Sequence, residues 1–352
     1  MRGTRMELLK ELCEAYGAPG FEDRIRAIFR REIKDHVDRI EVDGIGNCIA
    51  IKEGKPGSPK VMLAGHMDEI GFVVKHIDDK GFIRLSPLGG FDPKTLIAKR
   101  VTIVTSGGEE ITGMIGSKPI HIMTPEDRKK MPTVPELFVD VSLSGEEAKA
   151  RIEIGDPVTL QQQFQVSGDR CTGKSLDNRV SIYTMIEAMR RYSNENVSVY
   201  AVATTQEEIG LRGAMTASHR IEPDCGVAID VTLACDTPGA SEHEKISSLG
   251  AGVAIKVHDS SSISNPKMVR AMREIAREKE IPFQMEILTM GGTDAGGIQR
   301  GGSAVPAITL SIPCRYVHTV VETIDARDLE ATVALLAGFL DKAHEIDLSY
   351  DG

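Results

Sequence analysis

From Val197 to Thr205 the chain carries Val197, Val199, Val202, Thr204 and Thr205 and no charged residue, which predicts a buried β-strand. It then reaches Gln206-Glu207-Glu208-Ile209-Gly210, with a second glycine at Gly213. Few features restrict a fold more. Neighbouring side chains in a regular strand point to opposite faces. Both glutamates can therefore address one site only if the strand stops and the chain turns, which glycine permits. In open α/β sheets ligands bind beyond the carboxyl ends of the strands. Two acids at that position are either an active-site pair or an exposed helix start, because acidic residues also favour helix N-termini.

Other strand ends break the tie. Lys60 to Ala64 reads as a short apolar strand leading to His66 and Asp68, and Cys225 to Ile229 as another leading into Asp230. Ala304 to Ser311 is a further strand that continues through Pro313 to His318. Asp177 is placed to open a helix to Arg191, with Val180, Tyr183, Ile186 and Met189 broadly on one side. Imidazole with carboxylate is the donor set for zinc and related divalent ions. An aspartate two residues after His66 also fits a carboxylate that fixes the ring tautomer of a ligating histidine. Three carboxylates (Asp177, Glu208 and Asp230) with two neutral histidines offset most of the charge of two divalent ions, whereas a single ion would be over-supplied with acids. Two-metal hydrolytic sites also need one carboxylate off the metals as general base. The Glu207/Glu208 pair supplies one base and one ligand.

The rest of the composition narrows the class. A chain of 352 residues can hold one large domain or two moderate ones. A net charge of −10 argues against a nucleic-acid partner. The six cysteines (13, 48, 171, 225, 235 and 314) are scattered without metal-type or disulfide-type spacing, which fits a reducing cytoplasm. The start leads into a charged amphipathic helix over 6–16 rather than a signal segment, and no apolar run is long enough to predict a membrane span.

A second helix is predicted over 22–35, then strands at 37–42 and 45–51 joined at Asp43-Gly44. From 70 to 162 the texture changes to short alternating strands (71–77, 81–85, 100–105, 110–115 and 157–160), with helix only at 144–151. The expected class is α/β: a mixed-sheet α/β/α domain formed by 1–69 and 163–352, interrupted by a small β-barrel-like insert over 70–162. Past the insert come a helix from Pro266 to about 280, a strand over 283–289, a short helix over 293–300 and a last helix from Asp325 to about 344.

On these residues the sequence resembles the tetrahedral (TET) aminopeptidases, close to glutamyl aminopeptidase and related dinuclear zinc exopeptidases. The similarity runs nearly end to end, through Ala64-Gly65-His66-Met67-Asp68-Glu69, Ser175-Leu176-Asp177-Asn178-Arg179, Gln206 to Gly210, Ala228-Ile229-Asp230-Val231, Gly291-Gly292-Thr293-Asp294 and Arg315-Tyr316-Val317-His318. The resemblance implies His66 and Asp230 on one metal, Glu208 and His318 on the other, and Asp177 bridging. It implies Glu207 as base and Asp68 behind His66. It also implies two divalent ions per subunit, zinc first with cobalt or manganese as alternatives, acting on short peptides. The insert is implied to mediate dimerisation, and the dimers to assemble into a dodecamer.

Several features have plainer readings. His76 and His121 fall in the insert and are read as structural or interfacial. Gly291 to Gly297 lacks the spacing of a phosphate loop and is read as shaping a substrate pocket, through Thr293 and Asp294. Ser260 to Ser262 lacks a nucleophile elbow and reads as a polar turn. The rival functions are a deacylase or amidohydrolase on the same two-metal scaffold, a glycosidase using Glu207 with Asp68 or Asp230, and a shell without chemistry. A glycosidase has no need of His66 or His318, and the chain has no Trp and only 4% aromatic residues for a sugar groove.

Overall fold

A computed structural model describes residues 2–302 and 304–350. Its centre is an eleven-stranded mixed sheet. Four strands form the middle in the order Ser198–Thr204, Lys60–His66, Cys225–Leu233 and Ala307–Arg315, all parallel. Strands covered by helices on both faces must be apolar throughout. That is why Val61 to Ala64, Ala201 to Ala203 and Val227 to Ile229 are all essentially inaccessible.

The two faces separate by alternation along each strand. Val61, Leu63, Ala201 and Ala203 pack with the helices Leu176–Arg191 and Ala326–Lys342. Met62, Ala64 and Val202 pack instead with Arg212–Ile221 and Asp294–Arg300. The sheet is extended antiparallel at one side by Cys48–Lys52 and Arg39–Val42. At the other it continues through Glu322–Asp325, Arg170–Gly173 and Gln165–Ser167. Val253–His258 and Phe283–Ile287 branch from Ala307–Arg315.

A separate six-stranded closed barrel contains Gly71–Ile77, Ile83–Leu88, Arg100–Val104, Glu110–Gly116, Phe138–Asp140 and Pro157–Leu160. Closure abolishes free strand edges. The barrel has its own core around Phe72, Ile83, Val101, Ile103, Val139 and Val158. Its first strand begins three residues after Asp68, so the chain leaves the central sheet at the end that carries His66.

The elements follow the predicted pattern with informative differences. The strand expected over 45–51 starts at Cys48, because the Asp43 side chain accepts from the N–H groups of Ile45, Gly46 and Asn47 and curls that stretch into a turn. The strand Val253–His258 carries the fully buried Lys256, a residue that interrupts the apolar pattern. Phe138–Asp140 closes the barrel with only three residues, too few to show a period.

Candidate metal centre

The strand carrying Ser198–Thr204 stops where the two glutamates begin. Gln206 and Leu211 adopt left-handed backbone (φ 57° each), and Gly210 has φ 123°. Gly213 closes the turn from behind, where an added Cβ would lie 2.3 Å from Asn47 Oδ1 and 2.4 Å from the Thr205 carbonyl oxygen. Asn47 pins the same corner, accepting from Thr205 N–H at 3.0 Å and donating to the Gly213 carbonyl at 3.0 Å. Both glutamates are thereby carried past the sheet edge to one site.

His66 arrives from the adjacent strand. The register that pairs Ala64 with Ala228 carries His66 and Asp230 to the same height on neighbouring parallel strands. Asp177 comes from the first turn of its helix, which is non-helical at Asp177 and Asn178. The Asn178 side chain donates to the Ile229 carbonyl at 2.9 Å, tying this turn to the strand that bears Asp230. His318 follows the end of Ala307–Arg315 in a loop where its own φ is 63°. The structure thus brings His66, Asp177, Glu207, Glu208, Asp230 and His318 to the wall of one cavity of about 490 Å³.

The distances define two halves sharing one residue. His66 Nε2 lies 3.3 Å from Asp177 Oδ1 and 3.9 Å from Asp230 Oδ1. His318 Nε2 lies 3.4 Å from Asp177 Oδ2 and 3.5 Å from Glu208 Oε2. The two oxygens of Asp177 therefore address different histidines. Donor atoms roughly 2.0–2.2 Å from a tetrahedral ion sit about 3.3–3.6 Å from one another, so this spacing fits divalent cations. Glu207 Oε2 is also within 3.9 Å of His66 Nε2, and His66, Glu207 and Asp230 form a compact donor group beside His66, Asp177 and Glu208. Proximity alone leaves both glutamates within reach of an ion.

Electrostatics make the same demand. Burial pushes the Glu207 and Asp230 carboxyls well up, with His66 opposing and neighbouring acids adding to the shift, and burial also raises Glu208. Burial works against charge on Asp177 too, but its contacts with His318 and His66 hold it below the usual carboxylate range. A dry cluster of this many acids can ionise fully only with cations among them. The donor set and its spacing fit such ions.

Around the cluster, two buried carboxylates hold the backbone. His66 Nδ1 faces the Asp68 carbonyl oxygen at 3.0 Å. A carbonyl only accepts, so Nδ1 carries the proton and Nε2 is left as the ligating nitrogen. The Asp68 carboxylate, 3.5 Å from Nδ1, makes its hydrogen bonds elsewhere: Oδ1 accepts from Glu207 N–H and Oδ2 from Glu208 N–H, both at 3.1 Å. Glu322 mirrors this arrangement. Its Oε2 accepts from Asp177 N–H and its Oε1 from His318 N–H, both at 2.9 Å. Sequence reasoning missed Glu322; its one signal is a lone acid within the apolar, β-branched run Val320 to Ile324. It also missed Glu69, which is buried against Lys174 and Arg179 behind Asp177.

The plainer expectations can be placed as well. His76 and His121 are exposed on the barrel, away from this cavity wall. Ser261 and Ser262 donate backbone N–H groups to Asp259 in a polar turn. Thr293 lines the cavity, whereas Asp294 is buried behind it and accepts from Thr204 Oγ1 at 2.5 Å.

Comparison with known proteins adds four findings. The family described as M42 glutamyl aminopeptidase matches residues 46–335. The lysyl aminopeptidase of Pyrococcus furiosus is 37% identical, over 97% of this chain and 99% of that protein. Among solved structures, an aminopeptidase from the archaeon Desulfurococcus kamchatkensis aligns with a TM-score of 0.93 at 39% identity, covering 97% of this chain and 95% of that one. The TET1 peptidase of Pyrococcus horikoshii, described as able to assemble into a tetrahedron or a large octahedral shell, aligns with a TM-score of 0.84 at 32% identity, covering 95% and 98%.

Proposed function

Because the chain belongs to the M42 glutamyl aminopeptidase family, and is therefore a peptide hydrolase, we propose that it removes N-terminal residues from short peptides at a centre built for two divalent ions. The observation that carries the two-ion reading is Asp177, whose Oδ1 faces His66 and whose Oδ2 faces His318. His66 and Asp230 would hold one ion, and His318 and Glu208 the other, with Asp177 shared. Zinc suits this nitrogen and oxygen donor set, and cobalt or manganese would be accepted by the same atoms. When bound, such ions polarise the scissile carbonyl and lower the pKa of water towards ~7.

The remaining work falls to the protein's own groups. Glu207 is the general base: it takes a proton from the attacking water and passes it to the departing amine nitrogen. Its backbone N–H is held by Asp68, which sets the position of the backbone from which the carboxylate reaches the site. Glu208, fixed by the other oxygen of the same aspartate, faces His318 instead. One aspartate thus divides two adjacent acids between two roles.

The same reading extends to assembly. The barrel presents Ile120, Ile122 and Met131 at 60%, 67% and 53% exposure, an apolar surface that supports its use as the dimer contact from which a dodecamer is built. A cytoplasmic location is supported by six unpaired cysteines. Among the described residues no helix is long and apolar enough to cross a membrane.

The test compares an amino-acid anilide with its N-acetylated form. An aminopeptidase cleaves the first and spares the second. A deacylase on the same scaffold would release acetate from the second.

A further inference from the structure

The cavity beside the metal centre has a second wall whose chemistry is unlike the first. Apart from the six residues of the centre, it is lined by uncharged residues, chiefly Leu211, Val231, Leu233, Leu288, Met290 and Val317. Every acid on the lining already belongs to the centre, and no lysine or arginine lines it.

Two threonines, Thr232 and Thr293, are the polar side chains on this wall, and both turn their hydroxyl groups inward. Thr232 Oγ1 donates to Glu286 Oε1 at 2.6 Å, and Thr293 Oγ1 donates to Asp259 Oδ2 at 3.1 Å. Behind them Lys256 Nζ lies 2.8 Å from Glu286 and 3.5 Å from Asp259, with all three side chains inaccessible. Lys256 pairs with Glu286, and Asp259 accepts from the N–H groups of Ser261 and Ser262, so none of these charges lines the cavity. A charged side chain lying against this wall would lose water and find no opposite charge on it, the cavity's carboxylates all belonging to the metal centre.

We infer that this wall receives the side chain of the substrate's N-terminal residue and selects an uncharged, flexible apolar group such as leucine or methionine over lysine, arginine, glutamate or aspartate. The inference rests on the aminopeptidase reading and deepens it.

The test is a panel of aminoacyl 4-nitroanilides on the metal-loaded enzyme, with free leucine, lysine and glutamate as competitive inhibitors. Apolar pockets discriminate by about 10–200-fold, so kcat/KM for leucine and methionine should exceed that for lysine and glutamate by at least about tenfold. Free leucine should inhibit more tightly in the same order. A lysine or glutamate substrate cleaved as fast as leucine would overturn the inference while leaving the aminopeptidase reading intact. Turnover of no anilide, with acetylated amino acids cleaved, would overturn that reading itself. Met290 is 80% exposed, so Met290→Glu should fold normally. It should raise the lysine-to-leucine ratio of kcat/KM by about tenfold. An unchanged ratio would remove Met290 from the pocket and count against the inference.

Discussion

The two halves of the proposed metal centre are built by different means. His66 and Asp230 sit on neighbouring parallel strands at the middle of the sheet, 1% and 5% exposed, at heights set by the strand register. Glu208 and His318 come from turns beyond the strand ends. The His318 side chain is 36% exposed, and its backbone is held in a left-handed conformation. The first half follows from forming the core. The second exists only if two turns are held, and the holding is done by buried carboxylates: Asp68 for the glutamates and Glu322 for His318. A hydrolytic centre can therefore be rigid on one side and dependent on a few hydrogen bonds on the other.

Chelation gives the largest expected effect. Removing all divalent ions should abolish turnover, and zinc, cobalt or manganese should restore it. If the halves differ as described, metal content measured during graded chelation should fall in two steps, with the His318/Glu208 ion leaving first. Loss of both ions in a single step would remove the distinction between the halves.

Glu322→Gln should act next most strongly. The amide oxygen can accept from one backbone N–H, but the amide NH2 then opposes the other donor. Loss of such an outer partner typically costs about 10–100-fold in metal affinity. We expect the larger loss in the second ion, because Glu322 holds both His318 and Asp177, and a smaller loss in the first through the shared Asp177, read by competition with a chromogenic chelator, with the fold retained. Equal weakening of both ions would show that Glu322 supports the whole site rather than the loop-built half.

The smallest effect should come from Arg315→Ala. Arg315 makes two hydrogen bonds to Asp236, at 2.6 and 2.8 Å, at the foot of the His318 loop. The pair is partly exposed, so it contributes no more than about 1 kcal/mol, or roughly fivefold in affinity for the second ion. A loss as large as that of Glu322→Gln would move the main support of the loop to this pair.

This division also explains what could be read in advance. His66, Asp230 and the glutamates announce themselves because a buried strand is a plain apolar run and a polar residue at its end stands out. Asp177 is legible as a helix start. Glu322 is not, because its partners are backbone N–H groups of residues 145 and 4 positions away, and bonds to backbone leave no spacing pattern. Lys256 hides its strand for a related reason. A lysine usually marks solvent, and only the folded sheet shows Glu286 beside it. The barrel's texture was legible from its alternating strands, but its closure depends on Phe138–Asp140, which is too short to show a period.

The central claim is that adjacent glutamates divide the labour, Glu208 holding an ion and Glu207 moving the proton. Metal content and single-turnover rate, measured together on Glu207→Gln and Glu208→Gln, test it directly. Glu207→Gln should keep both ions and its fold while turnover falls by about 10²–10⁴-fold or more. Glu208→Gln should lose one ion and regain part of its activity in excess metal. The account is contradicted if Glu207→Gln loses an ion while Glu208→Gln keeps two and is inactive.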